Sequence, residues 1–204
     1  MKRLAILIST GGTGSNLQAI IDAIKAKELK AQTSVVVSDS EKAIGLKRAK
    51  NHQIPTEIVD KTTDLIKLLK DKYQVDYVCL AGWKLIIPDS FINAFENRIL
   101  NIHPGLIPDT MNGQTLNPDG TIGLWNRGKF TNKAIQNFID NKSTYAGSTV
   151  HFLSHDFDFG PVQGRCFEKI MPDDTVNSLY DRLKKKEHKL YVQTLIKLCN
   201  QNNV

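Results

Sequence analysis

Apolar runs alternate with amphipathic stretches along the first half of the chain. Residues 4–9 (LAILIS) form a continuous apolar run that ends at a glycine loop, as is typical of a parallel strand buried on both faces. After the loop, Leu17, Ile20, Ile21 and Ile24 recur at helical spacing. This spacing predicts an amphipathic helix that ends near Lys27.

The same alternation continues as far as His103. Predicted strands cover residues 34–37, 56–59, 76–81 and 99–103, and predicted helices cover residues 41–52, 63–73 and 88–95. Strands that alternate with helices in this way are the pattern of a doubly wound, mostly parallel sheet with helices on both faces. The sequence therefore predicts an α/β fold.

Beyond Pro108 the pattern changes. Residues 109–128 are rich in Gly, Asn, Asp and Pro and show no periodicity, which in a compact domain is more often a lid or a binding loop than a plain connection. A helix over residues 133–140, strands over 148–153 and 162–170, and a long helix from Asp174 or Thr175 to about Cys199 are predicted after it. We find no repeat or linker, so a single domain over residues 1–204 is expected.

Composition and charge narrow the classes of function. The chain has 204 residues, of which 41% are hydrophobic and 24% charged, as in an ordinary globular domain. It shows no signal peptide and no apolar run of membrane-spanning length, so we expect a cytoplasmic protein with no membrane partner. Its net charge of +6 lacks the accompanying signatures of nucleic-acid binding and favours small anionic substrates instead. Three distant cysteines without CxxC spacing indicate neither a disulfide framework nor a zinc site.

A glycine-rich loop, residues 11–16 (GGTGSN), separates the first strand from the first helix. Backbone N–H groups and the helix dipole create an anion site there, and Ser15 and Asn16 can cap the helix or donate hydrogen bonds themselves. A dinucleotide fingerprint fits poorly because Leu17 stands at the third glycine position, although Asp39 keeps that interpretation open. A Walker loop is excluded because the GK[ST] ending is missing. The loop predicts a phosphate site of unspecified kind.

Asn101 and His103 stand two residues apart in the predicted strand 99–103 (ILNIH), so they project from one face of the sheet. Pro104 ends the strand because it has no backbone N–H to donate. Ligands bind at the carboxyl ends of strands in open α/β sheets. Either residue alone would more often be structural, but the pair forms a candidate polar site.

An acidic and aromatic turn follows later, at residues 154–161 (SHDFDFGP). Residues 158–160 match the magnesium triplet of kinases by letter only, since the chain lacks the HRD loop and the strand lysine of that family. One interpretation is a surface turn capped by acids. The other places a loop carboxylate against His103, where it would favour the imidazolium and raise the pKa of His103.

Six segments together carry a resemblance to a known family. In order, they are 14–20 (GSNLQAI), 80–82 (LAG), 101–104 (NIHP), 147–151 (GSTVH), 158–161 (DFGP) and 187–188 (EH). Their order and spacing resemble those of phosphoribosylglycinamide formyltransferases, a family of folate-dependent formyltransferases. The similarity spans nearly the whole chain. The combination of Asn-x-His-Pro with Asp-x-Gly-Pro about fifty residues later, behind a phosphate loop, is specific even though each piece alone is not.

The resemblance implies a formyltransferase-like variant of the Rossmann fold. It also implies formyl transfer from 10-formyltetrahydrofolate to the amine of phosphoribosylglycinamide in purine synthesis, with no metal, small-molecule substrates only, and a monomeric or homodimeric enzyme. The implied catalytic residues are Asn101, His103 and Asp158. The implied ribonucleotide-binding residues are Gly14, Ser15 and Asn16, for the phosphate, and Glu187, for the ribose or glycinamide portion. The implied folate-binding residues are Lys84, Leu85, Ile86, Ile87 and Asn101.

Two departures from the family pattern keep alternatives open. The glycine loop is about two residues longer than the common SG(N/T)GSN form, and residues 109–113 (DTMNG) replace the usual Lys, aromatic and Pro-Gly stretch. A formyltransferase acting on another amine, such as an amino sugar, and a hydrolase that releases formate from the formyl-folate are therefore alternatives. From other classes, a nicotinamide-binding oxidoreductase and a catalytically silent binding protein also remain.

Overall fold

A computed structural model describes residues 1–200. Its strands are Lys2–Ile8 (β1), Ala31–Ser38 (β2), Thr56–Ile58 (β3), Tyr77–Leu80 (β4), Ile99–His103 (β5), Tyr145–Phe152 (β6) and Val162–Lys169 (β7). They form one seven-stranded sheet in the order β3-β2-β1-β4-β5-β6-β7. The pairs β1/β2, β1/β4, β2/β3 and β4/β5 are parallel, whereas β6 and β7 are antiparallel. The predicted α/β class with a mostly parallel sheet is confirmed.

The helices are Ser15–Lys25 (α1), Ile44–Asn51 (α2), Leu65–Lys67 (α3), Asp89–Ala94 (α4), Thr131–Asp140 (α5) and Val176–Asn200 (α6). Each lies within or close to a predicted helix. The helix predicted over residues 63–73 is divided, because α3 passes directly into a π-helical turn at Leu68–Lys72. Thr175 accepts a hydrogen bond from the Ser178 backbone N–H at 3.2 Å, as the predicted cap of α6 should. Within residues 1–200 no helix has the length and apolarity to cross a membrane.

The described residues divide into two compact units, and the first comprises residues 1–101 and 192–200. Its core is built from β1, β2 and β4, whose central side chains are fully buried. Parallel strands covered on both faces carry such uninterrupted apolar runs, which is why they were visible in the sequence. Leu17 and Ile20 form the buried side of α1 in the same unit. Each large apolar side chain buried in this way contributes about 1.5–3 kcal/mol.

The second unit comprises residues Ile102–Tyr191. Its apolar core combines α5, β6 and α6, through the fully buried residues Ile135, Phe138, Ala146, Leu179 and Leu183. Packing in this core therefore explains the regular spacing of apolar residues along α5 and α6.

Residues 109–128 contain no helix or named strand, as predicted. Backbone hydrogen bonds nevertheless fold the stretch back on itself, with an isolated antiparallel bridge between Leu116 and Ile122. The Leu106 N–H donates to the Leu124 carbonyl at 2.9 Å. This contact brings the end of the loop back to the residues that follow β5.

Candidate functional site

His103 is the last residue of β5 and is only 2% exposed. Its carbonyl accepts a hydrogen bond from Gly105 N–H at 2.9 Å, which turns the chain at Pro104. Asn101 lies two residues earlier in the same strand and is half-buried. The strand therefore has the predicted bounds, with its two polar residues at alternate positions.

The His103 ring makes a specific contact with the long loop. Its Nε2 atom lies 2.7 Å from the backbone carbonyl oxygen of Trp125. A carbonyl oxygen only accepts hydrogen bonds, so Nε2 carries the proton and donates it. The other ring nitrogen, Nδ1, lies 3.7 Å from the Oδ1 atom of Asp158. The predicted juxtaposition of imidazole and carboxylate is thus present, at a separation longer than a direct hydrogen bond.

The protonation of His103 differs from the expectation. Burial lowers the pKa of His103 below its ordinary value, and this effect outweighs the Asp158 carboxylate and the Trp125 carbonyl, both of which raise it. The Asp158 carboxylate does raise the pKa of His103, as the second interpretation of the turn held, but the almost complete removal of the ring from solvent lowers the pKa by more. At pH 7 the imidazole is therefore mainly neutral.

The loop that carries Asp158 has an unusual backbone. Asp158 adopts a left-handed conformation with φ 49°, and Gly160 has φ 146°. A Cβ atom on Gly160 would lie 2.1 Å from the Phe152 carbonyl oxygen, so only glycine fits there. The Trp125 indole N–H donates to the Asp158 carbonyl at 2.8 Å, and the Gly128 N–H donates to Asp158 Oδ2 at 2.7 Å. These bonds fix the direction of the carboxylate.

Sequence reasoning missed the contribution of residues 125–128. It identified residues 109–128 only as a binding loop or lid, without assigning a role to any of its members. The contacts with His103 and Asp158 are made by a backbone carbonyl and a backbone N–H. Backbone groups are common to nearly all residues, so the residue types do not reveal these contacts. A tryptophan close to a glycine in an otherwise polar stretch was the one available signal.

Glu187 lies on α6 in the second unit and is 3% exposed. The Ser148 hydroxyl donates to its Oε1 atom at 2.6 Å, and the Tyr180 hydroxyl also hydrogen-bonds to it. Burial raises the pKa of Glu187, because an ionised carboxylate loses hydration there. The carboxyl expected to meet the ribonucleotide is thus held inside the protein by two hydroxyl groups.

In the first unit the glycine loop opens α1. Gly14, rather than Ser15 or Asn16, takes the N-cap position, with a left-handed φ of 68°. A Cβ on Gly14 would come within 2.8 Å of the Gly45 Cα, so the loop and α2 approach each other closely. Gly14 has no side chain to cap the first turn of α1, a position that suits an anion.

Two cationic side chains flank this loop. Arg48 Nε donates to the Thr13 carbonyl at 2.9 Å. The Lys84 ammonium lies so near Gly11 that a Cβ there would be 2.8 Å from Nζ. The Lys84 backbone N–H donates to the Ser9 hydroxyl at 3.0 Å, and Ser9 in turn donates to Asp39. Positive charge therefore flanks the loop. Asp39, the residue that left the dinucleotide-binding interpretation open, accepts the hydrogen bond from the Ser9 hydroxyl.

The segment after β4 exposes apolar side chains. Leu85 is 50% exposed and Ile86 is 83% exposed. The Trp83 indole N–H is buried and has no hydrogen-bond partner among the described residues. The exposed apolar side chains suit contact with a flat ring. Within residues 1–200, no group of three or more His, Cys, Asp or Glu side chains could hold a metal ion.

Comparison with known proteins agrees with this arrangement. The formyl transferase family model matches residues 2–195. Phosphoribosylglycinamide formyltransferase of Dictyostelium discoideum is 31% identical over 94% of this chain and 95% of its own length. The chloroplastic enzyme of Vigna unguiculata is 30% identical over 100% of this chain, which spans 62% of that protein's length.

A solved structure gives the same result. The crystal structure of phosphoribosylglycinamide formyltransferase from Brucella melitensis superposes with a TM-score of 0.80 at 30% identity, covering 100% of this chain and 98% of that one. Agreement in sequence and in fold thus extends over the whole length. The chain belongs to the formyl transferase family.

Proposed function

We propose that the protein transfers a formyl group from 10-formyltetrahydrofolate to the amine of phosphoribosylglycinamide, a step of purine synthesis. The observation that carries the proposal is the buried imidazole of His103 facing the Asp158 carboxylate, 3.7 Å away, in a chain of the formyl transferase family. The proposal needs two small-molecule substrates and no nucleic acid. We keep the expectation of a cytoplasmic monomer or homodimer.

The reaction moves one proton while one bond forms and another breaks. The formyl-folate supplies an activated acyl carbon, which bonds to the amine nitrogen as its bond to the folate nitrogen breaks. In the neutral state His103 Nδ1 carries a lone pair, so it accepts the proton that the amine loses. The imidazolium formed in this way is stabilised by the Asp158 carboxylate. It then returns the proton to the departing folate nitrogen, which closes the cycle.

Asn101 has a different role in this proposal. As the amine attacks, negative charge develops on the formyl oxygen. A side-chain amide N–H two residues before His103 on β5 is suited to donate a hydrogen bond to that oxygen. Such preorganised donors typically contribute about 2.7–4 kcal/mol to the barrier difference. Asn101 thereby contacts the formyl end of the folate as well.

Two groups of residues would bind the acceptor substrate. Gly14, Ser15 and Asn16 bind the phosphate at the first turn of α1, with the Lys84 ammonium adding positive charge. Glu187 binds the ribose or glycinamide portion. Its carboxylate has about four lone-pair sites, so the hydrogen bonds from Ser148 and Tyr180 leave capacity for a substrate donor.

The folate ring would lie against the segment after β4. Backbone groups of Lys84 and Ile87 and the exposed side chains of Leu85 and Ile86 provide this surface.

A formyl-transfer assay of the purified protein tests the proposal. With 10-formyltetrahydrofolate as donor, we expect phosphoribosylglycinamide to be formylated far faster than a panel of amino sugars. A faster reaction with an amino sugar would instead support a different acceptor. Release of formate at a rate that added amine does not change would identify a hydrolase.

A further inference from the structure

Residues 125–128, here called the clamp segment, contact both members of the proposed catalytic pair. The Trp125 carbonyl accepts from His103 Nε2 at 2.7 Å, and the Gly128 N–H donates to Asp158 Oδ2 at 2.7 Å. Arg127 Nε donates to the Phe157 carbonyl at 2.9 Å, which adds a further bond to the Asp158 loop. One short stretch of backbone therefore sets the orientation of the imidazole and of the carboxylate.

The contact with Trp125 selects the tautomer of His103. Because the carbonyl can only accept, the neutral ring keeps its proton on Nε2 and its lone pair on Nδ1. Nδ1 is the nitrogen that faces Asp158. The tautomer with the proton on Nδ1 would instead set the Nε2 lone pair against the Trp125 carbonyl oxygen. The clamp segment thus makes Nδ1 the only nitrogen able to accept a proton.

Gly105 makes this contact possible. A Cβ atom on Gly105 would lie 1.8 Å from the Trp125 carbonyl oxygen and 2.9 Å from His103 Nε2. Both separations are shorter than van der Waals contact, and the first involves backbone that cannot rotate away. Any side chain at position 105 must therefore displace the carbonyl from the imidazole.

Asn126 holds the clamp segment in place from the other side. It is 6% exposed and has a left-handed backbone with φ 58°. Its side-chain amide donates to the carbonyls of Pro104, at 3.0 Å, and Ala134, at 3.2 Å. Its Oδ1 atom accepts from Asn137 at 2.8 Å. One buried amide thereby joins the end of β5, the clamp segment and α5.

We propose that Asn126 is a positioning residue for formyl transfer, which holds the Trp125 carbonyl on His103 and so reserves Nδ1 for the proton of the amine. The inference rests on the proposed function, because it takes His103 and Asp158 as the catalytic pair. The titratable groups that face the ring are Asp158, from the loop after β6, which raises the pKa of His103, and His151, from β6 itself, whose own pKa is lowered in part by His103. Asn126 touches neither substrate and acts through Trp125.

The test replaces Asn126 by glycine, which keeps the left-handed backbone and removes the three side-chain bonds. Asn97→Gly is the matched control, since Asn97 is exposed and also left-handed, with φ 53°. We expect Asn126→Gly to lower kcat at least about tenfold, within the usual range for a positioned acid-base group, with KM changed less than about twofold. The ¹⁵N chemical shifts of the His103 ring should change from those of the pure Nε2–H tautomer to those of a mixture of tautomers. The acid limb of the pH profile of kcat should also move.

Gly105→Ala provides an independent route to the same end, because its Cβ displaces the Trp125 carbonyl without altering Asn126. It should produce the same tautomer mixture and pH shift. The inference is overturned if Asn126→Gly folds and keeps the wild-type tautomer and pH profile, whatever Gly105→Ala does. If Asn126→Gly does not fold, a Gly105→Ala variant that folds with the wild-type tautomer and pH profile overturns it. His103→Ala distinguishes failure of the proposed catalytic pair from failure of the positioning role. If His103→Ala retains full formyl transfer, the catalytic role of the pair is wrong. If His103→Ala is inactive while the Asn126 and Gly105 variants behave as wild type, only the positioning role is wrong.

Discussion

The Nδ1 atom of His103 and the Oδ1 atom of Asp158 lie 3.7 Å apart, with the ring almost fully buried and the carboxylate partly exposed. At this separation the two groups interact by charge without a direct hydrogen bond. The arrangement favours an imidazolium that forms during the reaction over one that exists beforehand. In the proposed mechanism, Asp158 therefore acts on the proton transfer more than on the resting state.

Asp158→Asn should lower kcat at least about a hundredfold, within the usual range for a positioned acid-base group. The amide keeps an acceptor oxygen for the Gly128 N–H and tolerates the left-handed backbone, so the loop should fold normally. Steady-state kinetics of formyl transfer measure the effect. Asp156→Asn, an exposed neighbour in the same loop, is the control and should retain wild-type turnover. An unchanged rate in Asp158→Asn would remove this carboxylate from the mechanism.

The pH profile of kcat should report the lowered pKa of His103. Burial is the main cause of the shift, so the ring stays neutral and able to accept a proton as the pH falls through 6.5. We expect the acid limb of the wild-type profile to lie below pH 6.5. In Asp158→Asn the limb should move to still lower pH, because that substitution removes a charge that raises the pKa. A limb above pH 6.5 in the wild type would contradict the neutral resting state.

Glu187→Gln should have opposite effects on stability and on substrate binding, since it should raise the free energy of unfolding relative to wild type and weaken binding of phosphoribosylglycinamide. Burial raises the pKa of Glu187 in the folded state, so the unfolded chain ionises first and the contribution of this group to stability falls as the pH rises from 4.5. Glutamine keeps an acceptor for Ser148 without this penalty. Urea unfolding should show the variant gaining stability relative to wild type between pH 4.5 and pH 8.

In the same variant the KM for phosphoribosylglycinamide should increase, because the carboxylate offered to the substrate is lost. Exposed Glu41→Gln serves as the control for both measurements. A variant that shows no relative gain in stability on going to pH 8 would mean that Glu187 is not a buried, desolvated acid. A KM equal to that of wild type would remove Glu187 from substrate binding.

Lys84→Met should raise the KM for phosphoribosylglycinamide about tenfold, the effect of losing one charge-assisted hydrogen bond. The reason is the position of the ammonium beside Gly11, at the opening of α1. Lys84→Arg should restore much of the affinity, and exposed Lys42→Met should leave it unchanged. The wild-type KM should also depend more steeply on salt than that of Lys84→Met. Equal salt dependence in the two proteins would show that this ammonium does not meet the phosphate.

The strands near the site were predictable because their causes are local. Continuous apolar runs marked the buried parallel strands, and Pro104 marked the end of β5, so the predicted and observed bounds of that strand agree. Asp158 could be paired with His103 only as one of two interpretations. The choice between them depends on residues 55 positions apart in the sequence, whose approach no local pattern reveals.

The remaining features depend on burial and on backbone atoms. The lowered pKa of His103 follows from the burial of the ring, which outweighs the opposing effect of the Trp125 carbonyl, 22 residues away in the sequence. The glycine at the start of α1 and the π-helical turn after α3 are likewise set by packing rather than by residue type. Gly105, which the close approach of Trp125 requires, is a further sign of these contacts in the sequence.

Asp158 occupies a left-handed backbone, φ 49°, that glycine adopts without cost and that aspartate, although more tolerant of it than most residues, adopts less readily. Replacement of the acid by glycine would therefore relax the local backbone, but it would also remove the carboxylate that accepts from the Gly128 N–H and faces His103. The backbone conformation alone would favour glycine at position 158, so it gives no reason for a carboxylate there.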